Sequence, residues 1–180
     1  MALTTHVALL RAVNVGGRKA VMADLRTWLA ELGFEDPRSL LQSGNLVFRS
    51  RPTGAALEAL LEKEAETRLD LATDFLVRTA AEWAGIVAAN PYPAMERDDP
   101  SHLVVMPLKS SPDAAGLEAL RAWIPGRETI EALGRELYIA YPDGIGTSKL
   151  TNAVIERRLK TRGTARNWNT AAKLAALLDD

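Results

Sequence analysis

The sequence predicts an α+β fold made of two similar ferredoxin-like halves of βαββαβ type. Three observations predict it: short apolar runs typical of strands, apolar residues at helical spacing, and an order of elements that partly repeats in the second half. The 180 residues, 47% of them hydrophobic, suffice for a sizeable core. We therefore expect a pseudo-duplicated chain with an N-terminal half at 1–79, a connecting helix and linker at 80–100, and a C-terminal half with an extra C-terminal helix at 101–180.

The first half follows the order β-α-β-β-α-β. A short apolar run predicts a buried strand, after which apolar residues at helical intervals predict a helix that stops at Gly33. The turn residues Ser43, Gly44 and Asn45 then separate two strands. The predicted elements are strand 7–13, helix 22–32, strands 38–42 and 46–48, helix 57–69 and strand 75–77.

The second half predicts the order β-α-β-β-α-α, which agrees with the first half in its elements and not in its residues. A connecting helix over 80–89 and a polar linker over 96–100 precede it. Ser148 or Thr147 is expected to cap its second helix, and Asn167 or Asn169 the last helix. The predicted elements are strand 102–108, helix 117–124, strands 128–133 and 136–141, and helices 149–159 and 168–178.

Composition excludes several classes of function. The net charge of −1 and the pI of about 6.2 argue against a protein that is basic overall and binds nucleic acid through its whole surface. The absence of cysteine excludes disulfides, thiolate metal sites and cysteine nucleophiles. Two histidines are too few for most histidine-based metal sites, so no metal is expected. No segment approaches the roughly 20 apolar residues of a membrane helix, and the cytoplasm is the expected location.

The first candidate site is the end of the first strand and the glycine loop after it. Arg11 interrupts an apolar strand, where an unpaired charge is costly, so it must reach solvent, a carboxylate or a ligand. Asn14, Gly16, Gly17 and Lys19 follow, and paired glycines at a strand-to-helix turn expose backbone N–H groups suited to a phosphate. The alternative is a glycine turn that serves its backbone conformation alone.

The second candidate site is the turn Gln42-Ser43-Gly44-Asn45. A hairpin explains Gly44 and Asn45, because both residue types accept positive φ. The same turn requires Gln42 and Ser43 less strictly. These two side chains therefore are candidates for binding, with turn chemistry as the structural alternative.

The third candidate site is the basic C-terminal region, residues 145–173. It holds seven basic residues and a single acidic one, so it can attract an anionic ligand or a nucleic-acid backbone. Ser148, Lys149, Arg166 and Asn167 are its candidate binding residues. The alternatives are the solvated cationic end of a helix and ordinary helix caps.

Five segments of the chain, taken together, resemble a known family. They are residues 9–17, 22–25, 42–48, 148–150 and 164–170. Their order and spacing are similar to those of the bacterial family called domain of unknown function 1697, which usually has glycine where this chain has Ala12. The resemblance implies a duplicated ferredoxin-like α+β fold. It does not point to any particular activity, since that family is uncharacterised.

Three functions follow as hypotheses. The first is the binding of a small anionic ligand, phosphate-bearing or nucleotide-like, by the residues of the three candidate sites at a cleft between the two halves. No general base stands out, so enzymatic activity and any cofactor stay open. The second is a structural or protein-interaction role, for which Arg11 and Arg166 are expected to be buried and paired. The third is nucleic-acid binding by the basic region and Trp168. Exposed edge strands also suggest a homodimer.

Overall fold

A computed structural model describes residues 2–11 and 22–179 of the chain. The chain divides into two compact units, unit 1 (Met1–Gly85 with Leu174–Asp180) and unit 2 (Ile86–Lys173). Each unit holds one four-stranded antiparallel sheet with helices beside it. The predicted α+β fold with two ferredoxin-like halves is confirmed.

Unit 1 forms its sheet in the strand order β2-β3-β1-β4. Its alternating strand residues Ala8, Leu46, Phe48 and Val77 bury one face of the sheet in a core shared with the first two helices. Gly33, at φ +83°, ends the first helix as predicted. The elements are β1 (Thr4–Leu10), α1 (Met22–Glu31), β2 (Glu35–Leu40), β3 (Asn45–Ser50), α2 (Gly54–Leu69) and β4 (Phe75–Thr79).

Unit 2 repeats this arrangement in the strand order β6-β7-β5-β8. Val104, Met106, Leu137 and Ile139 bury the face of the sheet that lies in its core. Two further helices, α3 (Ala80–Ala88) and α7 (Trp168–Asp179), have residues in both units. The remaining elements are α4 (Pro93–Asp98), a 3₁₀ helix (Pro100–His102), β5 (Leu103–Pro107), α5 (Ala114–Trp123), β6 (Thr129–Leu133), β7 (Glu136–Ala140), α6 (Asn152–Leu159) and β8 (Arg166–Asn167).

The second half has a strand that the sequence did not predict. Arg166 and Asn167 pair with Val105 and Val104 of β5, so unit 2 also follows the order β-α-β-β-α-β. Two residues are too few to show an apolar alternation. The internal repeat is therefore closer than the sequence indicates.

Three local predictions were wrong. The polar linker over 96–100 is helical, because it belongs to α4 and the 3₁₀ helix after it. Neither Ser148 nor Thr147 caps α6; Thr151 does, accepting a hydrogen bond from the Val154 N–H at 3.3 Å. In the turn after β2, Leu41 and Gly44 take positive φ, whereas Asn45 already belongs to β3. The first strand runs from Thr4 to Leu10, and positions 12–13 of its predicted range lie outside the described residues.

In each sheet, side chains form hydrogen bonds with backbone groups of one outer strand. In unit 1, the N–H groups of Phe75 and Val77 in β4 donate to Glu62 and Glu58 at 3.0 and 2.9 Å. In unit 2, the carbonyl of Ile130 in β6 accepts two hydrogen bonds from Arg121. Such capping makes these strands poorer templates for strand addition.

Candidate functional site

The predicted site residues fall into three groups. Four lie in unit 1: Arg11, Gln42, Ser43 and Asn45. Four lie in unit 2: Ser148, Lys149, Arg166 and Asn167. Four lie outside the described residues: Asn14, Gly16, Gly17 and Lys19.

Arg11 has a partner within unit 1. Its NH1 lies 3.6 Å from the Oδ2 atom of Asp74, and its side chain is 32% exposed. Its backbone N–H donates to the Asp74 carbonyl at 3.0 Å, and the Thr73 hydroxyl donates to its carbonyl. The sequence allowed three surroundings for this charge: solvent, a carboxylate or a ligand. In the structure Arg11 pairs with a carboxylate, that of Asp74.

The turn after β2 is organised by Asn45. This side chain is fully buried, and its Nδ2 donates to the carbonyl of Leu40 and to the hydroxyl oxygen of Ser43, both at 2.8 Å. Gln42 and Ser43 are exposed. Asn45 thus stabilises the turn from inside, which is the structural alternative for this residue.

Arg166 and Asn167 have separate structural roles in unit 2. Arg166 is 7% exposed, and its NH1 donates to the Thr164 hydroxyl at 2.7 Å and to the Ala165 carbonyl at 2.9 Å. Burial lowers the pKa of Arg166 to about 10, because desolvation penalises the charged guanidinium. Asn167 accepts the Thr170 N–H at 3.0 Å and caps α7, as predicted.

Ser148 and Lys149 line a cavity of about 290 Å³ in unit 2. Lys149 is exposed, and Ser148 is partly buried. The cavity is bounded by the residues before β6 and by the loop after β7. Its lining residues are Pro125, Gly126, Glu128, Asp143, Gly144, Thr147, Ser148 and Lys149.

Hydrogen bonds hold the loop that carries Ser148 and Lys149. The Tyr141 hydroxyl donates to the carbonyl of Leu150 at 2.9 Å, and burial raises the pKa of this tyrosine. The Leu150 N–H donates to the Ser148 hydroxyl oxygen at 3.0 Å, and the Ser148 N–H donates to the Ile145 carbonyl at 3.2 Å. The loop therefore presents Lys149 from a backbone fixed at several points.

Glu128 lines both this cavity and a second one. Its Oε1 accepts a hydrogen bond from the Ser148 hydroxyl at 2.6 Å. It also lines a neighbouring cavity of about 320 Å³, beside β6, together with Arg121 and Glu131. Glutamates on strand surfaces are usual for solubility, so the sequence alone did not single out Glu128.

The other charges around the cavity are paired. Arg127 binds Asp143 through both its Nε and NH2 atoms, and this pairing lowers the pKa of Asp143. His102 Nδ1 lies 2.7 Å from Asp99 Oδ2, and a Cβ placed on Gly144 would lie 3.9 Å from His102 Nε2. Lys149 and Glu128 are consequently the charges at the cavity without a described ion-pair partner.

The basic C-terminal region is less available to phosphates than its composition predicts. Arg166 is buried, and the guanidinium of Arg158 lies 4.5 Å from the ring centre of Trp123 in unit 2. Trp168 is also buried, 2% exposed, against Tyr138. Bases therefore cannot stack on Trp168 as the nucleic-acid hypothesis requires.

The described residues lack two other kinds of feature, a metal-binding cluster and a membrane-spanning helix. They contain no group of three or more histidine, aspartate and glutamate side chains arranged to hold a metal ion. None of their helices is both long and apolar enough to cross a membrane.

Comparison with known proteins identifies relatives without an assigned activity. A family model described as "Protein of unknown function (DUF1697)" matches residues 3–138. The solved structure of conserved bacterial protein SP0830 from Streptococcus pneumoniae is similar to this chain, with a TM-score of 0.78 and 24% identity over 98% of this chain and 99% of that one. At this identity, the likeness shows the fold alone. Comparison with curated proteins gave no match.

Proposed function

This chain belongs to the family of proteins of unknown function called DUF1697, and we propose that it binds a small ligand through an anionic group in the cavity beside Lys149. The observation that carries the proposal is the position of Lys149, an exposed ammonium at a cavity of about 290 Å³. That volume lies near the lower end of the range of small-molecule sites. A phosphate or carboxylate group of the ligand pairs with Lys149.

The electrostatic balance of the cavity supports a small anionic group over a large polyanion. Asp143 is paired with Arg127, and among the described residues that line the cavity Lys149 is the basic one. Glu128 supplies a negative charge at the same cavity and repels an extended polyphosphate. We therefore assign the site to compounds with one compact anionic group.

The experiment is a titration of the ¹⁵N-labelled full chain with inorganic phosphate, AMP and glucose 6-phosphate, followed by NMR. We expect at least one compound to shift the amide signals of Gly144, Ser148 and Lys149 in a saturable manner. Lys149→Ala abolishes these shifts, whereas Lys149→Arg retains them. Lys173→Ala is the matched control, since Lys173 is exposed in the same unit and does not line the cavity.

Two results overturn the proposal. Shifts that survive Lys149→Ala unchanged place any binding elsewhere. If none of the three compounds gives a saturable shift, the proposed function is wrong.

A structural role for the polar segments is the second candidate function. It is supported by Arg166, which is buried and donates to the Ala165 carbonyl just before its strand, and by Arg11, which pairs with Asp74. The expected burial of Arg11 was wrong, since its side chain is 32% exposed. Arg166→Met then destabilises the protein and leaves binding at Lys149 unchanged. A cytoplasmic location and a homodimer stay predictions.

A further inference from the structure

His102 holds one ring nitrogen against a carboxylate and keeps the other accessible. Its Nδ1 lies 2.7 Å from Oδ2 of Asp99, and an ionised carboxylate only accepts, so Nδ1 carries the proton of this contact. In the neutral ring, Nε2 then has a lone pair. The side chain is 40% exposed, and within residues 2–11 and 22–179 Nε2 has no hydrogen-bond partner and is not buried. A molecule from solvent can therefore reach Nε2.

The backbone fixes His102 next to one wall of the cavity beside Lys149. The Tyr141 N–H donates to the His102 carbonyl at 2.8 Å, and the Gly144 N–H donates to the Tyr141 carbonyl at 3.0 Å. Gly144 lines the cavity together with Lys149, and a Cβ placed on it would lie 3.9 Å from His102 Nε2. The accessible nitrogen thus lies next to a residue that borders the cavity, and the missing side chain of that residue leaves room beside Nε2.

Asp99 and His102 are arranged as a proton-transfer pair. They flank a single 3₁₀ turn, in which the His102 N–H donates to the Asp99 carbonyl at 3.1 Å. A carboxylate that accepts from Nδ1 fixes the tautomer and the orientation of the ring, and it stabilises the imidazolium that forms when Nε2 takes a proton. An oriented imidazole with an accessible Nε2 has the geometry of a general base.

Resting on the proposed function, we propose that His102 is a general base and that the chain hydrolyses small carboxylic esters that carry an anionic group. Lys149 binds the anionic group, and His102 Nε2 takes a proton from a water molecule whose oxygen attacks the ester carbonyl carbon. The C–O bond to the alcohol then breaks, and the leaving oxygen takes the proton from Nε2. An acid and an alcohol are the products, and water is the other reactant. Asp99 acts through His102 and is a positioning residue.

The test compares two esters that differ in one charged group. 4-Nitrophenyl hydrogen adipate ends in a carboxylate, whereas 4-nitrophenyl hexanoate ends in a methyl group at the same position. Both release 4-nitrophenolate, whose absorbance is followed with the full chain at neutral pH and corrected for the reaction without protein. We expect saturable hydrolysis of the adipate ester, with a kcat/KM about ten-fold above that of the hexanoate ester, because one ion pair with Lys149 has this strength.

Substitutions at the two functions of the site should affect different kinetic constants. His102→Gln should lower kcat by about 100-fold or more and leave KM unchanged, since it removes the base. Lys149→Ala should raise KM for the adipate ester alone. Asp99→Asn should lower kcat by about ten-fold or more, because an amide also presents N–H groups to Nδ1. Asp98→Asn is the matched control, since this adjacent carboxylate is exposed and pairs with Arg97.

Added imidazole distinguishes a general base from a structural residue. His102→Ala removes the ring and leaves its place open to a small molecule, so free imidazole in the buffer should restore part of kcat in proportion to its concentration. The same addition should not restore the activity of Lys149→Ala, which keeps its own base.

The outcomes separate the two proposals. If the phosphate compounds bind at Lys149 but neither ester is hydrolysed in a saturable manner, the hydrolase inference is wrong and the proposed function stands. If hydrolysis survives His102→Gln, or if imidazole does not rescue His102→Ala, another group is the base and the inference is wrong. If Lys149→Ala leaves KM unchanged, the ester is held elsewhere, which also overturns the inference. If the chain neither binds the phosphate compounds nor hydrolyses the esters, both proposals fail.

Discussion

The two sheets carry a buried arginine at the same position, and the contacts described for the two side chains differ. Each arginine lies on the last strand of its sheet, opposite a valine of the first strand: Arg78 opposite Val7, and Arg166 opposite Val105. Each donates from NH1 to the carbonyl of its preceding residue, at 2.8 Å in unit 1 and 2.9 Å in unit 2. The duplication therefore extends to a charged side chain in the interior.

The surroundings of the two guanidinium groups differ. In unit 1, Glu58 of α2 lies 3.9 Å from Arg78, and both side chains are less than 10% exposed. In unit 2, the hydrogen bonds described for Arg166 go to a hydroxyl and a carbonyl, and burial lowers the pKa of Arg166 to about 10. The contacts described for Arg78 thus include a carboxylate oxygen, and those described for Arg166 include a hydroxyl and a carbonyl oxygen.

The largest expected effect is on the Arg78–Glu58 pair. Arg78→Met leaves Glu58 buried without its cation, and we expect the free energy of unfolding to fall by about 3–5 kcal/mol. Arg166→Met removes the hydrogen bonds to the Thr164 hydroxyl and the Ala165 carbonyl, and we expect a loss of about 1–3 kcal/mol. Urea unfolding of the full chain at neutral pH measures both.

The double variant Arg78→Met with Glu58→Gln sharpens this test. Glutamine removes the uncompensated charge and can still accept the Val77 N–H, so at least half of the lost stability should return. An equal cost for the two arginine variants, or no recovery in the double variant, would break the comparison.

The next effect concerns the segment that leads into β8. Gly163 forms a bridge with Leu108, and a Cβ there would lie 2.5 Å from the Pro107 carbonyl oxygen and 2.7 Å from the Leu108 side chain. The corresponding strand of unit 1, β4, contains no glycine. Gly163→Ala is expected to cost about 1–3 kcal/mol and to reduce amide protection in β5. Hydrogen exchange measures this protection.

A matched glycine in unit 2 serves as the control. Gly146 has nothing within 4 Å of an added Cβ, so Gly146→Ala is expected to change stability by less than about 0.5 kcal/mol. Equal effects of the two alanines would contradict the close approach at Gly163.

Sequence periodicity could predict the repeated fold, because most of its elements have an apolar pattern of their own. It could not predict β8, since a two-residue strand centred on Arg166 has no such pattern and depends on pairing with Val105, far away in the chain. Ser148 shows the same limit at the candidate site. Its type and position suggested a helix cap, but its hydroxyl bonds Glu128, a partner 20 residues away. Local patterns selected Lys149 and Ser148, whereas the contact between Ser148 and Glu128 could be found only in the tertiary structure.

Each unit holds one histidine, and we expect the two histidines to affect the pH dependence of the free energy of unfolding differently. His6 is fully buried in β1; burial lowers its pKa below 6.5, against smaller opposing effects from the Thr4 backbone and Glu82. The unfolded chain therefore binds a proton more readily, and the stability due to neutral His6 is lost as the pH falls below about 6.5. We expect urea unfolding between about pH 8 and pH 5 to show this loss in the wild type and a smaller one in His6→Gln.

The histidine of unit 2 provides the control for that experiment. His102 has a side chain that is 40% exposed and lies beside Asp99. His102→Gln should retain the loss of stability that His6 causes. If His6→Gln retained the full pH dependence, groups other than the buried histidine of unit 1 would be responsible.

The smallest expected effects come from one glycine in a helix of each unit, and they have opposite signs. Gly85 is exposed inside α3 with nothing within 4 Å of an added Cβ, so Gly85→Ala should stabilise the protein by about 0.5–1 kcal/mol. A Cβ on Gly116 of α5 would lie 2.8 Å from Oδ1 of Asp113, which caps that helix. Gly116→Ala displaces this cap, whose loss typically costs about 1 kcal/mol and outweighs the gain in helix propensity. In thermal unfolding experiments, the Tm of Gly85→Ala should be a few degrees higher than that of the wild type, and the Tm of Gly116→Ala a few degrees lower. A rise in both would mean that the Asp113 side chain moves aside without losing its hydrogen bond, and that the two helices respond alike.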